Sequence, residues 1–328
     1  MSALIEAHDL CKTFGEIKAV DGISLKVNRG EVLGFLGPNG AGKSTTMKMI
    51  TGFLEPDSGR ASICGHDIQE APKLAKAHLG YVPEGAPSYA EMTPRSFLGF
   101  IAEVRGFRGD DVRQRIAAAA AKTGLEPVLD QTIETLSKGY KRRVGVAQAI
   151  LHDPPVLVMD EPTDGLDPNQ KHHVRELIKK MAADKAIIIS THILEEVEAV
   201  CTRAVVINRG AIVADGTAED LLHRITYHGA VSIRVPTERS DAAIRLLKEA
   251  QGVAKVETLD KANGHIHLRA LPREGALEAA RVAAVLRAQS IPIDELYVER
   301  GRLDEVFRQI TTSDDMKRKK SGEGATNA

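Results

Sequence analysis

Cysteine is scarce in this 328-residue chain: Cys11, Cys64 and Cys201 stand far apart, form no C-x-x-C pair and leave one over from any pairing. That excludes a disulfide framework and a cysteine-built zinc site, and it fits a reducing cytoplasm. An excess of charge of either sign is also missing, with 44 basic against 45 acidic residues and a net charge of -1. No global basic field therefore drives sequence-independent nucleic-acid binding, and no nucleic-acid partner is expected. Long apolar runs are absent too. Those at 156–159 and 187–189 are strand length, well short of the ~18 residues that cross a bilayer. Met1 to His8 carries acids where a secretory signal carries bases. The chain is expected neither to be secreted nor to span a membrane by itself. It shows no internal repeat and no sustained heptads.

What is present is ordinary globular composition, 43% hydrophobic and 27% charged, at a length that suits two domains. Strands are expected at 4–14, 17–27, 31–36, 61–64, 80–82, 156–159 and 186–189. A helix starts near Lys43, and helical patterns interleave with the later strands, the rhythm of a parallel α/β sheet. Between 91 and 151 no strand pattern occurs. Helices at 94–105, at 110–122 and from Ser137 onward read as an all-helical insertion. A helix at 193–200 and a hairpin at 203–214 around Asn208-Arg209-Gly210 close the first domain. From Tyr227 the order becomes strand 230–235, helix 240–250, strands 254–259 and 265–270, helix 275–289, strand 294–298. That is the β-α-β-β-α-β order of a ferredoxin-like unit. An amphipathic helix at 303–310 and a polar, basic tail follow. The expected domains are 1–226, with a helical subdomain at about 88–152, then 227–312, and a disordered tail at 313–328.

Gly37-Pro38-Asn39-Gly40-Ala41-Gly42-Lys43-Ser44 matches the P-loop pattern, after a buried strand and at the opening of a helix that continues with Thr45. Its glycines let successive backbone N–H groups and the helix N-terminus point at phosphate oxygens, and Lys43 reaches the β and γ phosphates. Ser44 is placed to ligate Mg2+. A plain structural turn is the bland alternative. Asp160-Glu161 ends the 156–159 strand, where ligands of parallel sheets sit. By itself such a pair is more often a helix cap or a solvated turn. Beside a P-loop, Asp160 is suited to hold Mg2+ and Glu161 to deprotonate an attacking water.

Leu136-Ser137-Lys138-Gly139-Tyr140, with Ser137 as N-cap, resembles the signature motif of ABC ATPases, and it precedes the acidic strand at the family's usual short distance. The resemblance covers most of 4–225. It implies that Phe14 stacks on adenine, that Glu84 occupies the Q-loop position as a further Mg2+ neighbour, that Gly165-Leu166-Asp167 forms the D-loop, and that His192 is the switch histidine. It further implies a P-loop ATPase fold working as a head-to-tail homodimer. Ser137 and Gly139 of one copy then meet the γ-phosphate held by Lys43 of the other, with Asp167 at the shared seam. Glu84 replaces the family's common glutamine, and Lys138 and Tyr140 replace its commoner glycine and glutamine. Tyr81-Val82-Pro83-Glu84 and the Leu136–Gln170 stretch are similar to the exporter branch of drug-resistance and gliding-motility ATPases. The implied function is ATP-driven export through a separate transmembrane permease. Its coupling helices would dock in a groove of the helical segments after Glu84, holding the chain on the inner face of the membrane.

Two other readings stay open. One is a soluble ABC ATPase acting on ribosomes or DNA, although such relatives usually carry two cassettes or long coiled-coil arms. The other is a nucleotide-binding regulator with negligible turnover, against which the full set of Lys43, Asp160, Glu161 and His192 argues. His265-Ile266-His267 puts two imidazoles on one strand face with no third ligand nearby, so a solvated face is the simpler reading. The second domain reads as a dimer brace or a regulatory module. The cargo is not encoded here.

Overall fold

The computed structural model describes residues 3–85, 89–223, 225, 227–299, 305 and 307. It divides into two compact units, 1–218 and 219–328.

The first unit opens with β1 (Ala3–Phe14) and β2 (Ile17–Asn28), then β3 (Val32–Leu36), α1 (Lys43–Ile50), β4 (Ser58–Ile63), β5 (His66–Asp67), α2 (Pro72–Ala77) and β6 (Leu79–Val82). Next come α3 (Pro94–Val104), α4 (Asp110–Thr123) and α5 (Lys138–Ile150), with no strand among the described residues of that stretch. Local chemistry sets their ends. The Thr93 hydroxyl accepts from the Ser96 N–H ahead of Pro94, Asp110 and Asp111 occupy the first turn of α4, and Gly124 closes α4 in the left-handed conformation. The unit continues with β7 (Val156–Asp160), α6 (Pro168–Ala182), β8 (Ala186–Thr191), α7 (Leu194–Val200), β9 (Arg203–Asn208) and β10 (Ala211–Gly216). The short α8 (Ala218–Leu222) lies at the boundary between the units.

Six strands form the central sheet in the order β10-β9-β3-β8-β7-β6, parallel except for β10. Every residue of β3, β7 and β8 is buried, as strands covered on both faces must be. Leu36 pairs with Thr191 and Asp160 with Ser190, so β3, β7 and β8 end level. The segments after them leave the same carboxyl edge side by side. The strand expected at 61–64 does not join this sheet. It is β4, in a separate antiparallel sheet of order β2-β1-β4-β5. Its alternating burial marks one covered face, whereas the parallel strands are covered on both.

The second unit holds β11 (Val231–Pro236), α9 (Ser240–Glu249), β12 (Val253–Ala262), β13 (His265–Pro272), α10 (Ala279–Arg287) and β14 (Glu295–Val298). Its sheet has the order β12-β13-β11-β14 and all three pairings are antiparallel. β13 thus separates β11 from β12, the two strands joined through α9, in a split βαβ arrangement. Ile233, Leu247, Leu268 and Leu286 centre its core. α10 starts at Ala279 and not at Gly275. Gly275 takes φ 63° and the Leu277 N–H donates to the Gly229 carbonyl at 2.8 Å, which holds 275–278 off the helical path. His265 contacts Asp294 through Nε2 at 3.1 Å and the Asn263 carbonyl through Nδ1 at 2.8 Å, so both its nitrogens are engaged locally. Apart from Glu305 and Phe307, the helix expected at 303–310 and the tail at 313–328 lie outside the described residues.

Candidate functional site

The loop after β3 is shaped by backbone contacts that admit no side chain at two points. A Cβ on Gly37 would lie 2.4 Å from the Ile207 carbonyl oxygen of β9. One on Gly42, at φ 104°, would lie 2.4 Å from the Ala19 carbonyl oxygen of β2. The Gly210 N–H donates to the Ala41 carbonyl at 2.8 Å, tying the loop to the β9–β10 turn. Gly42 is also the N-cap of α1, and no side chain caps that first turn, which contains Lys43, Ser44 and Thr45. The helix end is therefore available to an anion. Lys43 is buried and its Nζ donates to the carbonyls of Gly37 at 2.8 Å and Pro38 at 3.1 Å, folded over the loop it belongs to. Burial pushes its ammonium pKa down, opposed by the charges of Glu161, Asp160 and Glu84.

Asp160 ends β7 fully buried. One carboxylate oxygen accepts from the Ser190 hydroxyl, and the other is buried without a partner. Glu161 follows at φ 47°, a left-handed backbone that a non-glycine residue adopts only when its surroundings hold it. Its N–H donates to the Ser190 hydroxyl at 2.9 Å, and its carboxylate accepts from His192 Nδ1 at 3.2 Å. Ligand atoms of Glu161, Asp164 and His192 all lie within 4.8 Å of one another. The Tyr81 hydroxyl is buried without a partner, and burial, with the charges of Asp160 and Glu84, pushes its pKa up to about 12.

Ser137 caps α5, its hydroxyl accepting from the Tyr140 N–H at 3.4 Å. Gly139 is buried against Gln170, whose amide would lie 2.3 Å from a Cβ there. Asp167 caps α6 by accepting from the Gln170 N–H at 2.9 Å. One turn into α5, the buried Arg142 donates to four carbonyls: Pro162 at 3.2 Å, Pro83 at 3.1 Å, Asp160 at 2.8 Å, and Glu161.

The structure thus gathers the P-loop, Glu84, Asp160, Glu161 and His192 at one sheet edge. Ser137, Gly139 and Asp167 form a separate group, with no hydrogen bond to the P-loop among the described residues. Phe14 ends β1 half-exposed, opposite Ile17 in the hairpin whose second strand supplies Ala19 to Gly42. Sequence reasoning missed Arg142, Asp164 and Ser190. Ser190 carried a signal, a polar residue ending an apolar strand beside the acidic pair. So did Arg142, which shares with Gly139, Val146 and Ala149 the spacing of one buried helical stripe.

The profile of the family described as "ABC transporter" matches residues 20–164. The linearmycin resistance ATP-binding protein LnrL of Bacillus subtilis is 32% identical over 311 residues, 94% of this chain and 98% of that protein. The Nod factor export ATP-binding protein I of Paraburkholderia xenovorans is 38% identical over 221 residues, 67% of this chain and 73% of that one. Among solved structures, an ATP-binding subunit of an ABC transporter superposes with a TM-score of 0.62 at 33% identity, covering 67% of this chain and 92% of the other. A dimeric post-hydrolysis cassette, MJ0796 bound to ADP and Pi, shares the fold with a TM-score of 0.60 at 22% identity, covering 65% of this chain and 98% of that one. The chain belongs to the ABC transporter family and is one of its ATP-binding, ATP-hydrolysing subunits.

Proposed function

We propose that this chain drives export through a separate permease as a head-to-tail homodimer, with Glu161 as the general base of ATP hydrolysis. The observation that carries the reading is the Glu161–His192 pair, beside the buried Asp160 and on the same sheet edge as Lys43. The P-loop backbone from Gly37 to Gly42, with Lys43, Ser44 and Thr45, cradles the phosphates, and Phe14 stacks on the base. Glu161 takes the proton of the attacking water, and His192 orients the carboxylate and the γ-phosphate. Asp160 fits a role in holding Mg2+, because its buried second oxygen has no protein partner, and Ser44 and Glu84 complete the set. Bound Mg2+ would neutralise charge on the β and γ phosphates. Ser137 and Gly139 close on the γ-phosphate of the second copy from the uncapped side, and Asp167 lines the seam between copies.

This chain offers a surface that suits such a permease. A cleft of about 560 Å³ is lined by Phe53, Tyr81, Pro83, Tyr89, Phe97 and Ile101, and its mouth leaves Phe53 69% and Tyr89 52% exposed. Apolar surface of this kind marks an interaction site, and it suits a short amphipathic helix. No helix among the described residues is long and apolar enough to cross a membrane. The chain then works from the cytoplasmic face, held there by the permease. The relatives named for linearmycin resistance and Nod factor export favour outward transport.

Glu161→Gln tests the reading. It should cut phosphate release by roughly 10²–10⁴-fold and trap a dimer with ATP that is seen by size-exclusion chromatography. A variant that turns over at the wild-type rate removes Glu161 from the base role.

A further inference from the structure

Arg142 is buried to 6% exposure and makes no hydrogen bond to a carboxylate among the described residues. All of its hydrogen bonds go to main-chain carbonyls, and the acceptors belong to two separate loops. Nε donates to Pro162, Nη2 to Asp160 and Glu161, and Nη1 to Pro83, the residue before Glu84. A guanidinium is the side chain that can do this, with five donors in a rigid planar fork. Removing a charge from water without a bonded counter-ion is costly. Burial pushes the guanidinium pKa down, and the four carbonyls and the nearby charges of Asp160, Asp164, Glu161 and Glu84 offset that cost in part.

What the arrangement secures is the peptide on either side of Glu161. That residue sits at φ 47°, and each of its polar groups is held: the N–H by Ser190, the carboxylate by His192, and the carbonyl by Arg142 together with the Asp164 N–H at 3.2 Å. Remove Arg142, and the peptide after Glu161 keeps only the local turn bond from Asp164, losing the bonds that tie it to a rigid helix. The carboxylate remains but its aim is no longer set. Arg142 belongs to α5, which Ser137 heads, and lies one turn from Gly139. The helix that carries the signature residues is thereby joined directly to the catalytic loop of the same chain.

We propose that Arg142 is a positioning residue. Through the Asp160, Glu161 and Pro162 carbonyls it aims the Glu161 carboxylate, and through the Pro83 carbonyl it keeps the Glu84 loop in register with that aim, both from the signature helix. The proposal rests on the reading of Glu161 as the base.

The test uses the full-length chain with Arg142→Lys, Arg142→Gly and Glu161→Gln, singly, and with Arg142→Lys combined with Glu161→Gln. Lysine keeps the charge and cannot reach both loops, so kcat should fall roughly 10- to 100-fold. KM and the affinity for ATP should stay within about three-fold, because the P-loop is untouched. Added methylguanidinium should restore part of the rate to Arg142→Gly and none to the wild type. In the Glu161→Gln background, Arg142→Lys should change the residual rate by less than about two-fold, since both act on one step. Wild-type kcat in Arg142→Lys overturns the proposal. So does a parallel loss of rate and ATP affinity, or full additivity with Glu161→Gln. If Arg142→Gly does not fold, the lysine variant and the double-mutant cycle still decide. Wild-type turnover in Glu161→Gln alone would overturn the base reading instead, an outcome distinct from any of these.

Discussion

The two units are built on sheets of opposite character, and their buried polar groups follow from that difference. In the first, β3, β7 and β8 are buried along their whole length, so polar groups gather where those strands end. There Asp160 leaves a carboxylate oxygen unpaired, Tyr81 leaves a hydroxyl unpaired, and Glu161 holds a left-handed backbone. In the second unit β13 alternates buried and half-buried residues; His265 and Arg269 on its outward face pair with neighbours, while His267 Nε2 is buried without a partner among the described residues. Arg269 donates to Glu299 at 2.9 Å and lies 4.2 Å from the Tyr227 ring centre, and Ser232 donates to the same Glu299 at 2.5 Å. Both units bury unpartnered atoms, Thr237 Oγ1 and His267 Nε2 in the second, but in the first such an atom, on Asp160, stands beside the left-handed Glu161 and its partner His192 at one sheet edge. Chemistry is expected to reside in the first.

Substitution of one hydrogen-bonded cation in each unit, the buried Lys43 and the half-buried Arg269, tests this contrast at its widest. Lys43→Met should abolish turnover, a loss of roughly 10³-fold or more, because no other side chain in the loop supplies a charge to the phosphates. Arg269→Met removes an equally well-bonded cation from the second unit and should leave kcat within about two-fold in a phosphate-release assay. A large effect of Arg269→Met on kcat would break the division.

The next largest effect is on stability. Leu268 is fully buried at the centre of the second unit's core. Leu268→Ala should cost about 2–5 kcal/mol there. Calorimetry should show one transition moving down and the nucleotide-stabilised transition unmoved. A single merged transition shifting as a whole would show that the units do not melt separately.

How much of this was legible in the sequence depended on what each signal reports. Apolar runs such as 156–159 and 186–189 revealed the central strands because burial on both faces leaves a continuous mark. The same cue misplaced 61–64, since a short apolar run records burial and not which strand lies alongside. The P-loop and Asp160-Glu161 were readable because phosphate and metal chemistry needs particular residues next to strand ends, whereas His192 was reached only through the family resemblance. Arg142 was legible only as buried: its spacing with Gly139, Val146 and Ala149 marks a covered stripe, but only the fold reveals four carbonyls around it. Asp164 was passed over for a similar reason: a local turn brings it beside Glu161, but its nearness to His192 is created by two strand ends meeting at one edge.

The smallest expected effect at neutral pH concerns His152, which follows α5 in the first unit. Its Nε2 donates to the Leu79 carbonyl at 3.1 Å, which fixes the Nε2–H tautomer, and its Nδ1 is buried without a partner. Burial, with the charge of Arg105, lowers its pKa from 6.5 to about 3, and the bond to Leu79 opposes this only in part. In the window between about 3 and 6.5 the unfolded chain binds a proton at this site and the folded chain does not. Stability therefore rises with pH across that window. The contribution is complete above 6.5 and is lost as pH falls toward 3. Gln at 152 can still donate to the Leu79 carbonyl but cannot titrate. Urea midpoints measured at about pH 7.5 and about pH 5 should drop less in His152→Gln than in the wild type, with little difference between the proteins at the higher pH. An equal drop in both would mean that His152 takes up its proton in the folded state, and the acid sensitivity of the first unit would then have to arise from its carboxylates.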